Sequence, residues 1–187
     1  MTEQVLSSSF ASLHRLVWTA LLAALIAVGA FVHFPLGPVP ISLQVLFVLL
    51  AGFLLGPLAG ASAMGLYLLA GLAGLPVFAG GTSGLGHVLG PTGGYLLGFL
   101  LTPLVTGQAK RLGRNGDLAW GFALGLAVLG YVPIYGIGIP WLKASLGIDW
   151  GKALATGMLP FLVSDCLQIA ASAAIARFFH RRFGGAI

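Results

Sequence analysis

Apolar segments of bilayer length follow one another from residue 13 to residue 179, separated only by prolines, glycines and a few charges. That succession limits the fold more than any motif does. In hydrocarbon every backbone N–H and C=O must be satisfied within the protein, so such segments become helices rather than open sheet. Composition agrees: 58% of the 187 residues are hydrophobic and 7% charged, with a mean hydropathy of +1.03, against about 25% charged residues in a soluble domain. The expectation is an all-α integral membrane protein, a single domain over 1–187 embedded in the lipid bilayer.

Six segments approach the ~20 residues that cross the hydrocarbon core, at about 13–34, 41–57, 58–75, 92–109, 117–142 and 153–179. The first has a basic lead in His14 and Arg15 but no small-x-small cleavage site before a polar mature chain, so it is expected to stay as a helix. With both termini cytoplasmic, Arg15, Lys110, Arg111, Arg114, Arg177, Arg181 and Arg182 lie inside, and only Lys143 and Lys152 outside. This positive-inside asymmetry favours a multi-pass membrane protein with both termini in the cytoplasm. The net charge of +5 is therefore topology, not an affinity for nucleic acid.

Small residues recur every fourth position in Gly52/Gly56/Gly60, Gly94/Gly98, Gly121/Gly125, Ala20/Ala24 and Ala23/Ala27. Such faces let helix backbones approach closely in lipid. The glycine pairs are expected to pack inside the chain; the alanines suit an internal or a partner helix. Pro103, Pro133 and Pro160 are expected to kink their spans.

Three outer connections follow, over 33–44, 74–95 and 143–152. The second, GLPVFAGGTSGLGHVLGPTGGY, is too glycine-rich for a regular helix and too apolar for a solvated linker. Backbone of that kind near membrane depth lines a cavity or is buried in protein.

Asp165 is the one carboxylate inside an apolar run, near the centre of 152–180. A charge there costs roughly 2.5–3.5 kcal/mol on insertion scales and normally marks a functional site. Gln168 shares its helix face, Ser164 precedes it, and its proton donors must come from another helix, water or a ligand. Two readings stand: a polar pair that joins two helices, or a binding site.

Other chemistries fit poorly. Gly81-Thr82-Ser83-Gly84 resembles the nucleophile motif of rhomboid-type proteases, but His180 lies on the wrong side and nothing orients His87 as a base. The loop lacks the G-K-[ST] ending of a phosphate-binding motif. No His/Cys/Asp/Glu cluster has metal-ligand spacing, so neither metal nor cofactor is expected. Cys166 is the sole cysteine, which excludes an intramolecular disulfide. The chain is not expected to be an enzyme by itself.

PVPISLQVLFVLLAGFLLGP (38–57), GLYLLAGLAGLPVFAGGTSGLG (65–86), GPTGGYLLGFL (90–100) and LPFLVSDCLQ (159–168), with TALLAALIAVGAF (19–31), together resemble the BioY family. These are biotin-specific substrate-binding (S) components of energy-coupling factor (ECF) transporters. The resemblance covers nearly the whole chain and implies a six-helix bundle that captures biotin from the outer side. It implies work with a transmembrane coupling subunit and two cytoplasmic ATPase subunits that supply ATP hydrolysis, although some members act without a dedicated ATPase module. Self-association into a homo-oligomer stays open. One departure is plain: the family pattern LPFxPGDxxK reads here with Val163-Ser164 for Pro-Gly and Gln168 for Lys.

The ureido ring of biotin offers two N–H donors and a carbonyl acceptor. Asp165 is expected to accept from an N–H, with Gln168, Ser164, Ser83, Thr82, Gly81 and Gln44 as further polar contacts. Phe78, Tyr95 and Trp141 are candidate apolar walls. Ala20, Ala23, Ala24 and Ala27 on the first helix match the face that contacts the coupling subunit. The alternative function is an ion-coupled secondary transporter of a small polar solute; an inverted repeat would favour it, and none is evident between 13–75 and 92–179.

Overall fold

The computed structural model describes residues 2–35, 37–112 and 118–183, so Arg114 lies outside the described residues. The long helix α1 (Thr2–Phe31) runs into a small antiparallel hairpin, β1 (His33–Phe34) with β2 (Ile41–Ser42), in the register His33 to Ser42. Then come α2 (Gln44–Leu55) and α3 (Pro57–Leu72), a 3-10 turn at Ala79–Gly81, and the short α4 (Leu85–Leu89). The chain continues through α5 (Gly93–Thr106), α6 (Gln108–Leu112) and α7 (Trp120–Leu146). It closes with α8 (Trp150–Gly157), a 3-10 turn at Leu159–Phe161 and α9 (Leu162–Phe183).

Helix α2 is the core of the bundle. It is apolar on every side, as a fully surrounded helix must be, and packs on α1, α3, α5 and α9. Its 12 residues span only ~18 Å, well short of a ~30 Å hydrocarbon core. Gly56 ends it at φ +86°, a left-handed conformation that a side chain would resist, and Pro57 opens α3 at the first helical position. Among the described residues, Ser12–Phe31, Trp120–Leu146 and Trp150–Arg182 are long and apolar enough to cross a membrane, while α2 and α3 are shorter apolar helices. The outer surface is as apolar as the core: Leu58, Leu69, Val128, Val132, Val163 and Leu167 are all exposed. This suits lipid as solvent.

Glycines set the interhelical distances, though not all of those expected. A Cβ on Gly98 would lie 2.6 Å from Ile134 Cα, and one on Gly94 2.8 Å from the Ile137 carbonyl oxygen, so α5 and α7 touch backbone to backbone. Gly52 meets Pro103 and Thr106 of α5 in the same way, and Gly60 meets the Ala51 carbonyl. Gly121 and Gly125 instead face open space. They lie on the side of α7 turned away from α5, so the expected internal packing does not apply to them.

The sixth apolar segment is not one helix. Pro160 cannot donate to the helix ladder, and the chain breaks at Met158–Phe161 before resuming as α9. Asp165 therefore sits in the first turn of α9, not at mid-span. Other bounds also move: the 41–57 segment begins as hairpin, 92–109 divides at Gly107, and Lys143 belongs to the last turn of α7.

Gly98→Val should lower the melting temperature in detergent by the equivalent of about 1–3 kcal/mol of overpacking. Gly125→Ala, with nothing near its Cβ, should leave stability unchanged or raise it by up to about 1 kcal/mol, because alanine is the better helix former.

Candidate binding site

Five helices and the hairpin converge on a half-open cavity between the helices of the bundle, a common setting for small-molecule sites. The helical period explains the lining. On α7, Tyr131, Ile134 and Tyr135 occupy one face; on α9 and its preceding turn, Phe161, Ser164, Asp165 and Gln168 do the same. Tyr95, Leu96 and Phe99 of α5, Tyr67 of α3, Gln44 and Val45 of α2, and Val39–Ser42 of the hairpin complete it, with His87, Ala79 and Thr92 from the outer connection.

Asp165 is buried, and the Tyr135 hydroxyl donates to its Oδ2. The donor thus comes from another helix. Tyr135 stacks on Tyr131 at 6.0 Å and meets Tyr95 edge-on at 6.5 Å. The Tyr95 hydroxyl donates to the Gly157 carbonyl over 2.9 Å, satisfying backbone exposed by the Pro160 break. All four tyrosines of the chain line this one cavity.

Gln168 has a structural task. Its Oε1 accepts from Leu46 N–H (2.8 Å) and its Nε2 donates to the Ser42 carbonyl (3.1 Å). Leu46 is in the first turn of α2, whose N-cap residue Leu43 supplies no side-chain bond; Gln168 caps that helix from α9. It joins two helices as one of the two readings held, but through backbone rather than through Asp165. Ser164 lines the cavity while donating to the Phe161 carbonyl.

Of the expected contacts, Asp165, Gln168, Ser164, Tyr95 and Gln44 come together here, and Phe78, Trp141, Gly81, Thr82 and Ser83 do not. Phe78 is fully buried beneath the outer loop, filling the space left by Gly71 and stacked on His87 at 4.9 Å. Trp141 Nε1 donates to the Gly90 carbonyl over 2.9 Å and so ties the loop to α7. Gly81 and Ser83 are exposed. Thr82 donates to the Ala79 carbonyl and lies 2.8 Å from His87 Nδ1. His87 thus pairs with Thr82 and not with Ser83, which removes the protease arrangement.

Sequence reasoning passed over Tyr67, Tyr131, Tyr135, His87 and the hairpin. The available signal was the tyrosines: buried hydroxyls need partners, and every tyrosine here falls within an apolar run. On α1, Ala20 and Ala24 are exposed, whereas Ala23 and Ala27 are half-buried against the core. The helix turn separates the two pairs, so Ala23 and Ala27 pack within the chain rather than on an outward face.

Three buried side-chain atoms have no well-formed hydrogen bond among the described residues: Gln44 Nε2, Tyr67 OH and Tyr131 OH; Gln44 and Tyr67 are neighbours, as are Tyr131 and Asp165, but without bonding geometry. All three belong to cavity-lining residues. Unpaired buried polar groups are rare in native proteins and call for an explanation.

Fold and cavity together define a membrane protein that binds a small, partly polar molecule among helices. A model of the BioY family matches residues 1–185. The chain is 40% identical over 164 residues to the biotin transporter BioY of Thermotoga maritima, covering 88% of this chain and 94% of the relative. It is 42% identical over 157 residues to a probable biotin transporter BioY of Pyrococcus horikoshii, covering 84% and 90%. A crystal structure of the S-component for biotin from an ECF-type ABC transporter superimposes with a TM-score of 0.84 at 31% identity, covering 91% of this chain and 93% of that one. The chain belongs to the BioY family.

Two measurements probe the site. Gln168→Met keeps the length but removes the cap on Leu46 N–H; it should destabilise the chain by about 1–3 kcal/mol, the cost of an orphaned buried donor, read as a lower melting temperature. Burial holds the His87 pKa below its ordinary value. The unfolded chain then takes up the proton more readily, so stability is present above the unfolded His pKa and lost as pH falls through it and then the folded value. Parent and His87→Gln should have parallel melting temperatures above neutrality and diverge on acidification, the parent losing more.

Proposed function

We propose that this chain is the biotin-capturing S component of an ECF transporter, crossing the bacterial inner membrane six times with both termini in the cytoplasm. The observation that carries this reading is the set of unpaired polar atoms on the cavity wall. Gln44 Nε2, Tyr67 OH and Tyr131 OH stand beside the Asp165 carboxylate, one of whose oxygens is already held by Tyr135. The ureido group of biotin presents the complementary pattern of two N–H donors and one carbonyl acceptor. Asp165 accepts from an N–H, tyrosine hydroxyls and the Gln44 amide donate to the carbonyl, and Val39, Leu96, Phe99, Ile134 and Phe161 surround the thiophane ring and valeryl chain.

Charge placement supports the topology. Lys143 lies over the Trp150 ring at 5.3 Å, and Lys152 is 3.8 Å from Asp149, so both belong to the end of the bundle that carries the connection between α7 and α8. Arg177 stacks on Trp120 at 4.7 Å at the opposite end, where positive residues accumulate on the cytoplasmic side. The partners are a transmembrane coupling subunit and two cytoplasmic ATPase subunits. Exposed Ala20 and Ala24, with Val17, Leu21 and Val28, give α1 a narrow apolar face on which a coupling helix can pack closely.

Calorimetry on the purified chain in detergent should show saturable one-to-one biotin binding; no saturable heat with folded protein refutes the reading. Asp165→Asn should weaken binding by about 1.5–3 kcal/mol, or roughly 10- to 150-fold. Tyr131→Phe should weaken it roughly three- to tenfold while the empty chain still folds, as read from a cooperative melt. Equal affinity in Tyr131→Phe would mean that the ligand does not use that hydroxyl.

A further inference from the structure

The charge inventory of the cavity bears on what the ligand carries at its carboxyl end. Among the described residues no lysine or arginine lines the cavity, and its one full charge, Asp165, is negative and buried. The two cations at the loop end of the bundle are engaged elsewhere, Lys143 over Trp150 and Lys152 beside Asp149. Nor does Gln168 supply a strong free donor, since its oxygen and its amide nitrogen are both bonded to backbone.

His87 does not compensate. Its Nδ1 is already engaged by the Thr82 hydroxyl at 2.8 Å, and its ring is stacked on Phe78. Burial also disfavours its charged form. The buried side-chain atoms without a hydrogen-bond partner among the described residues belong to a carboxamide and two phenols, all uncharged.

Resting on the biotin-binding reading above, we infer that this cavity does not require a charged carboxyl end, so that biotin amides bind within threefold of free biotin or more tightly. A carboxylate entering an aromatic, half-closed cavity gives up hydration and finds no lysine or arginine on the wall to offset its charge. An amide at the same position brings no charge, and it offers both a donor and an acceptor to the neutral groups on the wall. The ligand class is then N-substituted or primary biotin amides, the form in which biotin is linked to a lysine side chain, alongside the free acid.

The test compares biotin, biotinamide and N-methylbiotinamide on the purified full chain by calorimetry at pH 7.5. The inference expects both amides to bind with a dissociation constant no more than threefold above that of biotin, or below it. Amide binding without detectable acid binding is its strongest form. Biotin binding with both amides more than threefold weaker overturns the inference and leaves the biotin-binding reading standing. Binding of none of the three by folded protein overturns that reading, and this inference with it.

Discussion

The site depends on a helix that stops. If the segment after Trp150 were continuous, its backbone would be self-satisfied and Asp165 would sit deep within it. Pro160 breaks the ladder, and the break survives in an apolar setting because Tyr95 donates to the Gly157 carbonyl. Restarting the helix at Leu162 puts Asp165 in the first turn of α9, where unpaired N–H groups give the helix end a partial positive charge that favours a carboxylate. Tyr95 can reach Gly157 because Gly138 and Gly157 leave room for its ring and hydroxyl, where a Cβ would collide with them. Close packing, a helix break and an acceptor at the cavity wall are thus one connected arrangement.

Polar groups around the cavity fall into two sets. Gln168, Trp141 and Thr82 are spent on backbone and hold α2, α7 and the outer loop in place. Gln44, Tyr67 and Tyr131 keep unpaired atoms. The first set gives the rigidity that makes the second tolerable, since unpaired groups on a loosely held wall would rotate to find partners. A site with pre-positioned, unfulfilled hydrogen bonds gives its ligand orientation at little further entropic cost.

Much of the fold was legible in the sequence because membrane helices announce themselves by length and charge. The breaks at Pro57 and within 74–95 were visible as punctuation, and Asp165 as an unusually placed charge. What stayed hidden was the side of each element on which a residue falls. Phe78 looks like a wall of the cavity, yet it is swallowed by the hole that Gly71 leaves; Trp141 looks similar and faces the loop instead. Gly121 and Gly125 carry the same four-residue spacing as Gly94 and Gly98 but meet nothing. Spacing defines a face without saying what lies opposite. The hairpin at 33–42 was missed because two-residue strands carry no periodic signal. The four tyrosines were the strongest clue left unused, for a phenol in an apolar helix is a request for a polar neighbour.

The glycine contacts also dictate where such a chain is free to drift over generations. At Gly52, Gly98 and Gly107 even one methyl group meets backbone of a neighbouring segment, so these positions are closed to every other amino acid unless two helices move together. At Gly65, Gly125 and Gly136 a side chain enters open space, and there composition answers only to the surrounding lipid. Lineages of this fold can therefore diverge widely on the outside while the interior stays locked, and two members with quite different surfaces would still superimpose helix for helix.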